Sequence, residues 1–272
     1  MTSPSETERK RKSQTLGVGH FVRNLQAFTE AVADEDEQLR WQGEKLRLIE
    51  SVLDGVNAHG VLADVGCFTG AATARYAAHG FERAVGFDLS AAALAVARGR
   101  GIDTRLWRAG EEPCPAADGA FDIVIAADII EHIVDTDAFL TEIRRIVRSQ
   151  GLVIITTPNL AFWISRLRML LGRTPWSYPG PSPTVKADLT IDVNHIRVST
   201  RSEWENLFIS HRFQVQAVRG WSILHAMGSS LGIRIRRMVD RCLTRSPDFS
   251  FGLLFVLRKP QSLDPDPPAQ SP

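Results

Sequence analysis

Between residues 61 and 156 short strand-like runs alternate with helical patterns, and this alternation constrains the fold more than any other feature of the sequence. Strands are predicted over Val61–Val65, Ala84–Phe87, Asp103–Trp107, Phe121–Ala126 and Leu152–Thr156, and helices over Ala71–His79, Ala91–Arg100 and Thr136–Arg148. Strands separated by helices of this length form βαβ crossovers. The pattern therefore predicts an α/β doubly wound fold, in which a parallel sheet is covered on both faces.

Helical patterns also flank this region on both sides. Apolar residues recur at helical spacing from about His20 to Leu53, which predicts one or two N-terminal helices. Gly151 follows the helix predicted up to Arg148, where a C-terminal stop is expected. After Pro158 the sequence predicts helices over Ala161–Gly172, Glu203–Ser210 and Ser222–Leu243, and strands over Phe213–Val218 and Phe249–Leu257.

Composition indicates a globular protein without extreme charge. Of the 272 residues 44% are hydrophobic and 23% charged, and the formal net charge of +1 gives no general attraction to nucleic acid. The three cysteines are widely spaced and contain no CxxC pair, which indicates neither a disulfide framework nor a zinc site and favours a cytoplasmic location. We find no secretory signal and no apolar run of about 18 residues, the length that would cross a membrane.

The polar ends of the chain set the expected domain boundaries. Residues 1–17 and 261–272 are polar, the second segment is also rich in proline, and both are predicted to be disordered. A single domain is expected over 18–260, with a ligand-binding core over 60–158 and further elements of the site over 159–248.

The segment Asp64–Gly70 joins the first predicted strand to the first helix of the core. A tight turn at this position presents backbone N–H groups and the positive end of a helix dipole to a ligand. Gly66 and Gly70 would let the backbone approach that ligand closely. Taken alone, the same residues also fit an ordinary strand–helix turn.

Asp88 ends the second predicted strand, eighteen positions after Gly70. In doubly wound nucleotide-binding folds an acidic residue at about this distance accepts hydrogen bonds from ribose hydroxyls. The alternative is that Asp88 caps the next helix, although Ser90 is better placed for that role. Together the glycine turn and Asp88 predict a nucleotide-type ligand, but the turn lacks the G-x-G-x-x-G pattern of dinucleotide sites.

From about Val61 to Pro158 the sequence resembles the class I S-adenosylmethionine (SAM)-dependent methyltransferases. Their first motif reads like Leu-Asp-Val-Gly-Cys-Gly-Thr-Gly, which Asp64–Gly70 matches except that Phe68 replaces the middle glycine. The resemblance implies SAM as the cofactor. The cofactor-binding residues that it implies are Asp64, Gly66, Cys67, Gly70, Asp88, Leu89, Glu111, Glu112 and Asp128.

Four later segments continue the resemblance in the same order. Glu111–Pro115 and Asp118–Asp122 resemble the family's loop after the third strand, where an acidic residue reads the adenine amino group. Ala127–Ile133 is similar to the Asp-Val-Leu-Glu-His-Leu segment of ubiquinone- and methionine-biosynthesis methyltransferases, and Arg144–Gly151 and Thr156–Asn159 follow it. The family fold implies a mostly parallel seven-stranded sheet with an antiparallel last strand, N-terminal helices and a helical insertion on the acceptor side.

The chain after Asn159 resembles a narrower group. Pro158–Leu160, Arg166–Arg173 and His195–Thr200 are similar to methyltransferases often encoded with glycan or secondary-metabolite biosynthesis. The expected function is methyl transfer to a small-molecule acceptor, by O-methylation of a glycan, lipid-linked or secondary-metabolite hydroxyl. Alternatives are a quinone-type O-methyltransferase, a SAM-binding module without catalysis and, less favoured, a NAD-linked oxidoreductase.

His195 and His132 are the predicted catalytic residues. An oxygen acceptor benefits from losing its proton, which calls for a base such as histidine near the methyl group. His195 is the first choice and His132 the second, while the alternative for each is a hydrogen-bonded loop histidine. Asp188, Asp192 and His195 could form an oxygen-rich metal site, but such spacing in a loop arises easily by chance, so we predict no metal.

The helix predicted over 161–172 combines aromatic, aliphatic and arginine residues without an acid. We interpret it as a lid over the acceptor pocket, since such helices often pack their apolar side chains over a ligand. Peripheral membrane contact through 161–173 is the alternative. A second basic stretch within Ser222–Leu243 and its continuation to Arg245 invites the same two interpretations.

Overall fold

The computed structural model describes residues 35–56, 60–178, 195–223 and 231–261, and for residues 35–41, 231–234 and 236 it describes the backbone alone. The helices are α1 Glu35–Gly55, α2 Ala71–Ala77, α3 Ala91–Gly99, α4 Thr136–Ile146, α5 Trp163–Leu170, α6 Arg201–Ser210 and α7 Leu231–Leu243. The strands are β1 Val61–Val65, β2 Arg83–Asp88, β3 Asp103–Leu106, β4 Phe121–Ala127, β5 Val147–Pro158, β6 Gln214–Trp221 and β7 Gly252–Arg258. Short 3₁₀ turns lie at Ile130–His132 and Pro247–Phe249.

The seven strands form one sheet in the order β3-β2-β1-β4-β5-β7-β6. Neighbours from β3 to β5 run parallel, whereas β7 runs antiparallel to both β5 and β6. This arrangement confirms the predicted doubly wound fold with its antiparallel last strand. The strand order reverses between β1 and β4, so the carboxyl ends of these two strands border the crevice where ligands bind in such sheets.

Helices cover both faces of the sheet, as the sequence predicts. On one face α1 buries Leu46, Ile49 and Leu53, whose spacing of three and four residues places them on a single side of the helix. On the other face α4 buries Phe139 and Ile143 against the sheet. The resulting two-layered core holds the carboxyl ends of β1, β2 and β4 in fixed positions relative to one another.

The boundary between α4 and β5 differs from its prediction. The helix ends at Ile146, two residues early, and β5 begins at Val147 rather than at Leu152. Gly151 therefore lies inside β5 and does not end the helix. A Cβ atom at Gly151 would come within 2.7 Å of a Val147 methyl group, so glycine is required there by close packing.

Several predicted segments lie outside the described residues. They include the tails apart from Gln261, the first part of the N-terminal helical region, and the loop that contains Asp188 and Asp192. Among the helices that the structure does describe, none has both the length and the apolar character needed to cross a membrane.

Candidate cofactor and acceptor site

The turn between β1 and α2 adopts left-handed backbone angles at three positions. Gly66 has φ 81° and its N–H donates to the Phe87 carbonyl at 2.8 Å, while Gly70 has φ 78°. A Cβ at Gly70 would lie 2.9 Å from that of Ala97, so this glycine also permits close packing of α2 on α3. Phe68 has φ 49°, a conformation that favours glycine, at a cost of about 1–2 kcal/mol.

Asp88, at the end of β2, ties the turn to the neighbouring strand. Its Oδ2 accepts from the Phe68 N–H at 2.9 Å, and its Oδ1 accepts from the Ser90 N–H at 2.8 Å. Burial raises the pKa of this carboxyl, while the backbone donors act in the opposite direction. Ser90 is the N-cap of α3 and accepts from the Ala93 N–H, so Asp88 does not cap the helix.

Asp64 and Cys67 lie beneath the turn rather than on its surface. The Thr73 hydroxyl donates to Asp64 Oδ2 at 2.5 Å, and burial raises the pKa of Asp64 to about 6. The Cys67 thiol packs on β2, where a Cβ at Gly86 would come within 2.6 Å of its sulfur. Burial raises the pKa of this thiol far above its ordinary value, which makes Cys67 a packing residue without nucleophilic character.

Asp128, directly after β4, is held in place by an ion pair. Lys45 Nζ lies 2.5 Å from its Oδ2, and the Thr156 hydroxyl donates to its Oδ1 at 2.6 Å. Burial acts to raise the pKa of Asp128, but Lys45 and Thr156 outweigh it and the pKa lies below its ordinary value. Asp128 has φ 53°, so its backbone turns away from the strand at this point.

Glu131, His132 and His195 form a second cluster just beyond Asp128, which we call the acceptor cluster. Glu131 is fully buried in the turn after β4, and His195 Nε2 lies 3.9 Å from its Oε1. The ring centroids of the two histidines are 5.0 Å apart. The N–H groups of Ile196 and Arg197 both donate to the Glu131 carbonyl, which holds His195 beside the turn.

A family model described as a methyltransferase domain matches residues 63–155, the segment that contains most of this site. Residues 63–155 are a class I SAM-dependent methyltransferase domain. SAM is the cofactor of this family, as the resemblance implied.

Two curated relatives and one solved structure agree with this assignment. The ubiquinone biosynthesis O-methyltransferase of Sinorhizobium fredii is 31% identical over 102 residues, which cover 36% of this chain and 41% of the relative. A Mycolicibacterium smegmatis protein named as a SAM-dependent methyltransferase is 34% identical over 80 residues, or 29% of this chain and 30% of that protein. The chain thus spans less than half the length of both relatives.

The solved structure is a chain of the complex between the Haloferax volcanii Trm112 methyltransferase activator and a methyltransferase. It superposes with a TM-score of 0.60 over 87% of this chain and 97% of that chain, at 16% sequence identity. This likeness shows that the methyltransferase fold extends well beyond residues 63–155.

Within the methyltransferase domain, Glu111 and Glu112 lie in the loop after β3. That loop begins next to Asp88, since the Trp107 N–H donates to the Asp88 carbonyl at 3.0 Å. Both glutamates are exposed, and the Glu112 carboxylate accepts from the Arg108 N–H at 3.0 Å. The structure therefore brings the predicted adenine-side residues to the same edge of the sheet as the predicted ribose-side residue.

Lys45 is the site residue that the sequence did not reveal. It belongs to α1, lies outside every methyltransferase motif and is 83 positions from Asp128. Its side chain is only 4% exposed. The sequence does contain a sign of its burial. Lys45 precedes Ile49 by four residues and Val52 by seven, so it lies on the buried side of the helix.

The acceptor cluster is electrostatically unusual. Burial raises the pKa of Glu131 well above its ordinary value, and the nearby Asp128 charge adds to the effect. Burial lowers the pKa of His195 to about 4, with His132 acting in the same direction. His195 is therefore neutral at pH 7, and its Nδ1 lies 3.0 Å from the Ser177 carbonyl.

Proposed function

We propose that this chain is an enzyme that transfers the methyl group of SAM to a hydroxyl oxygen of a small-molecule acceptor. The observation that carries the proposal is the contact between the cofactor turn and the segment leading to the acceptor cluster. A Cβ at Gly66 would lie 3.2 Å from the Ile129 side chain, and Ile129 stands two residues before Glu131. A methyl donor in the turn and an acceptor at the cluster would therefore meet at one edge of the sheet.

In this proposal the cofactor is held by the residues that the family motifs imply. Asp88 accepts hydrogen bonds from the ribose hydroxyls, and Glu111 or Glu112 binds the adenine amino group. Asp128 faces the methionyl end, where Lys45 supplies the positive charge opposite it, and Asp64 supports the cofactor turn from below through its hydrogen bond with Thr73. The sulfonium methyl group is already activated, so the main contribution of the protein is alignment for in-line displacement.

His195 and His132 are the proposed catalytic residues, and they activate the acceptor. Since Nδ1 of His195 is engaged by the Ser177 carbonyl, Nε2 is the ring atom left to contact the acceptor oxygen. Loss of the hydroxyl proton at this cluster makes the oxygen a better nucleophile toward the methyl carbon.

Exposed apolar and basic side chains on α5 and α7 favour a lipid-linked acceptor over a free glycan. Leu170 is 82% exposed and Leu171 75% exposed, and Met238 of α7 is 65% exposed. The two helices pack together, because the indole N–H of Trp163 donates to Asp240 at 2.8 Å. Residues 160–178 and 231–246 contain eight arginines and one acid, a net charge of +7 in a chain whose total is +1.

An apolar and basic surface suits a ligand with a hydrocarbon chain and an anionic group. We propose that α5 acts as a lid over such an acceptor. Peripheral membrane contact through 161–173 would use the same side chains. This alternative would be favoured if the chain binds vesicles and if no ligand protects residues 163–171 from hydrogen exchange. The free thiols of Cys67, Cys114 and Cys242 support the proposed cytoplasmic location.

Two measurements test the proposed function. SAM and S-adenosylhomocysteine should raise the melting temperature of the purified chain, whereas a nicotinamide dinucleotide should not. Incubation with methyl-labelled SAM and a lipid extract from a strain lacking the gene should label a product one methylene heavier than the accumulated precursor. A melting-temperature rise without transfer to any extract would indicate a SAM-binding module, and stabilisation by the dinucleotide alone would refute the proposal.

A further inference from the structure

The acceptor cluster brings together three side chains that commonly bind metal ions. One ligand atom each from Glu131, His132 and His195 can be chosen so that all three lie within 4.8 Å of one another. Glu131 and His195 are buried, and His132, which is half-buried, is the member most exposed to solvent. Such a set resembles the three-ligand catalytic sites that leave a further position open for a substrate or water.

The Glu131 carboxylate provides an independent reason to expect a cation. Both of its oxygens are buried, and neither makes a hydrogen bond within the described part of the chain. The hydroxyl of the neighbouring Thr157 acts to lower the pKa of Glu131, but it too is buried without a partner of full hydrogen-bond geometry there. Ionising a buried carboxyl without a partner is costly, and a cation bound beside Glu131 would offset that cost.

The orientation of His195 points the same way. Its Nδ1–H donates to the Ser177 carbonyl, which leaves a lone pair on Nε2, and this atom lies 3.9 Å from Glu131 Oε1. Metal-ligating histidines usually donate their other ring N–H to a carbonyl or carboxylate in this manner. Two ligands of a tetrahedral zinc ion stand about 3.3 Å apart, so a side-chain movement of less than about 1 Å would close this pair around an ion.

We propose that Glu131, His132 and His195 bind one divalent cation of the zinc type, which in turn binds the acceptor's hydroxyl oxygen. Two imidazoles with one carboxylate favour Zn²⁺ or Co²⁺ over Mg²⁺, which prefers oxygen ligands. From the sequence we predict no metal. The only metal site considered there combines His195 with Asp188 and Asp192, and both aspartates lie outside the described residues. The present site shares only His195 with that set.

The inference rests on the proposed function for the place of the acceptor, and it changes the role of His195 from base to ligand. A bound cation lowers the pKa of a hydroxyl group that coordinates it. The hydroxyl proton passes to water, and the resulting oxygen attacks the methyl carbon. The carbon–sulfur bond breaks, its electron pair stays on sulfur, and S-adenosylhomocysteine and the methyl ether are formed.

Cation binding can be measured without any acceptor. The full chain is dialysed against a chelator and then titrated with Zn²⁺ and with Co²⁺, by calorimetry and by the visible spectrum of the cobalt form. The variants Glu131→Gln and His195→Ala remove one ligand each. His211→Ala is the matched control, because His211 also lies beside a carboxylate, that of Asp137 at 2.7 Å, but on the surface and away from this cluster.

Wild type and His211→Ala should bind one equivalent, with a cobalt spectrum that lacks thiolate charge-transfer bands. The two ligand variants should bind at least about 10-fold more weakly, since even outer-shell changes cost that much. Should Glu131→Gln fail to show a SAM-induced rise in melting temperature, His132→Gln replaces it as a folded ligand variant. Binding of less than one equivalent by wild type, or equal binding by the variants, would overturn the cation site.

Methyl transfer before and after chelation then separates the two proposals. Transfer that needs the restored cation supports both, and transfer that is equally fast without it refutes the proposed role of the cation. Absence of transfer from a chain that binds both SAM and the cation would instead count against the proposed function and leave the cation site standing.

Discussion

On the cofactor side of the site Asp64 accepts a hydrogen bond from Thr73 and Asp88 accepts two from the backbone, whereas on the acceptor side neither oxygen of Glu131 has a partner in the described part of the chain. The first side is complete within the protein itself. The second contains a buried carboxyl that the proposed cation would partner. The cofactor side is therefore preformed, while the acceptor side is the part of the site whose proposed completion depends on a ligand.

The largest expected effect is on kcat, and it tests the acceptor side of the site. His195→Ala should lower kcat by about 10²–10⁴, because it removes a group that activates the hydroxyl. The affinity for SAM, measured by calorimetry, should stay near that of wild type, since the proposed cofactor contacts lie elsewhere.

His79→Ala is the control for this variant, because His79 pairs with Asp54 far along the chain from the acceptor cluster. A near-normal kcat of His195→Ala across the pH range would exclude His195 and leave His132 as the candidate. Parallel shifts of melting temperature and acceptor KM would show instead that His195 only holds its loop in place.

The same contrast explains what could be predicted from the sequence. The turn from Asp64 to Gly70 and the acid at Asp88 lie within one βαβ unit, so local spacing and glycine content reveal the cofactor side. The acceptor side joins residues that are far apart in sequence, with Lys45 83 positions from Asp128. Periodicity shows that a side chain is buried, but it does not show which distant polar group it meets.

Glu131 illustrates this limit most clearly. It stands inside a recognised motif, so its position was predictable, but its burial depends on the contact of the turn after β4 with residues 195–197. The predicted end of the helix at Gly151 was wrong for a related reason. A glycine that ends a helix and a glycine that permits close packing in a strand look alike in sequence, and only the neighbouring Val147 distinguishes them.

A second prediction concerns the stability of the cofactor side. The pKa of Asp64 is about 6 in the folded chain against 3.8 for an unperturbed aspartate, so the folded state holds this proton more tightly than the unfolded state. The stability that comes from protonated Asp64 is therefore fully present below about pH 4 and is lost as the pH rises through 6. Above that pH the charged carboxylate costs about 3 kcal/mol, at 1.36 kcal/mol per pKa unit.

Asp64→Asn should accordingly raise the free energy of unfolding at pH 7, by up to about 3 kcal/mol. The advantage over wild type should shrink toward zero by pH 4. Urea denaturation of both proteins at pH 4, 5, 6 and 7 without SAM measures this difference in the free energy of unfolding. If the difference in free energy of unfolding between the two proteins does not change with pH, Asp64 does not become a buried charge as the pH rises.

A third prediction tests Asp88 as a cofactor ligand. Asp88→Ala should weaken SAM binding by about 1.5–3 kcal/mol, because it removes charge-assisted hydrogen bonds to the ribose. Asp103→Ala, which removes an exposed carboxylate at the start of β3, should leave the affinity unchanged. Calorimetry that finds equal affinities for both variants would remove Asp88 from the cofactor site and weaken the claim that this side is preformed.

The smallest expected effect is that of Phe68→Gly, which restores the family pattern in the cofactor turn. Glycine would relieve the left-handed strain at φ 49°, worth about 1–2 kcal/mol. It would also give the unfolded chain more freedom, which offsets about 0.5–1 kcal/mol of that gain. The free energy of unfolding should therefore rise by no more than about 1.5 kcal/mol in urea denaturation.

SAM affinity of Phe68→Gly should be similar to that of wild type or weaker, because we expect the Phe68 ring to cover the methionyl end of the cofactor. Phe68→Ala is the matched variant, since it removes the ring and keeps a Cβ at the strained position. Equal affinities of the two variants would assign any loss to the ring alone. A gain of about 10-fold in Phe68→Gly, or 1.4 kcal/mol, would show that Phe68 obstructs the site, and the cofactor side would then be no more complete than the acceptor side.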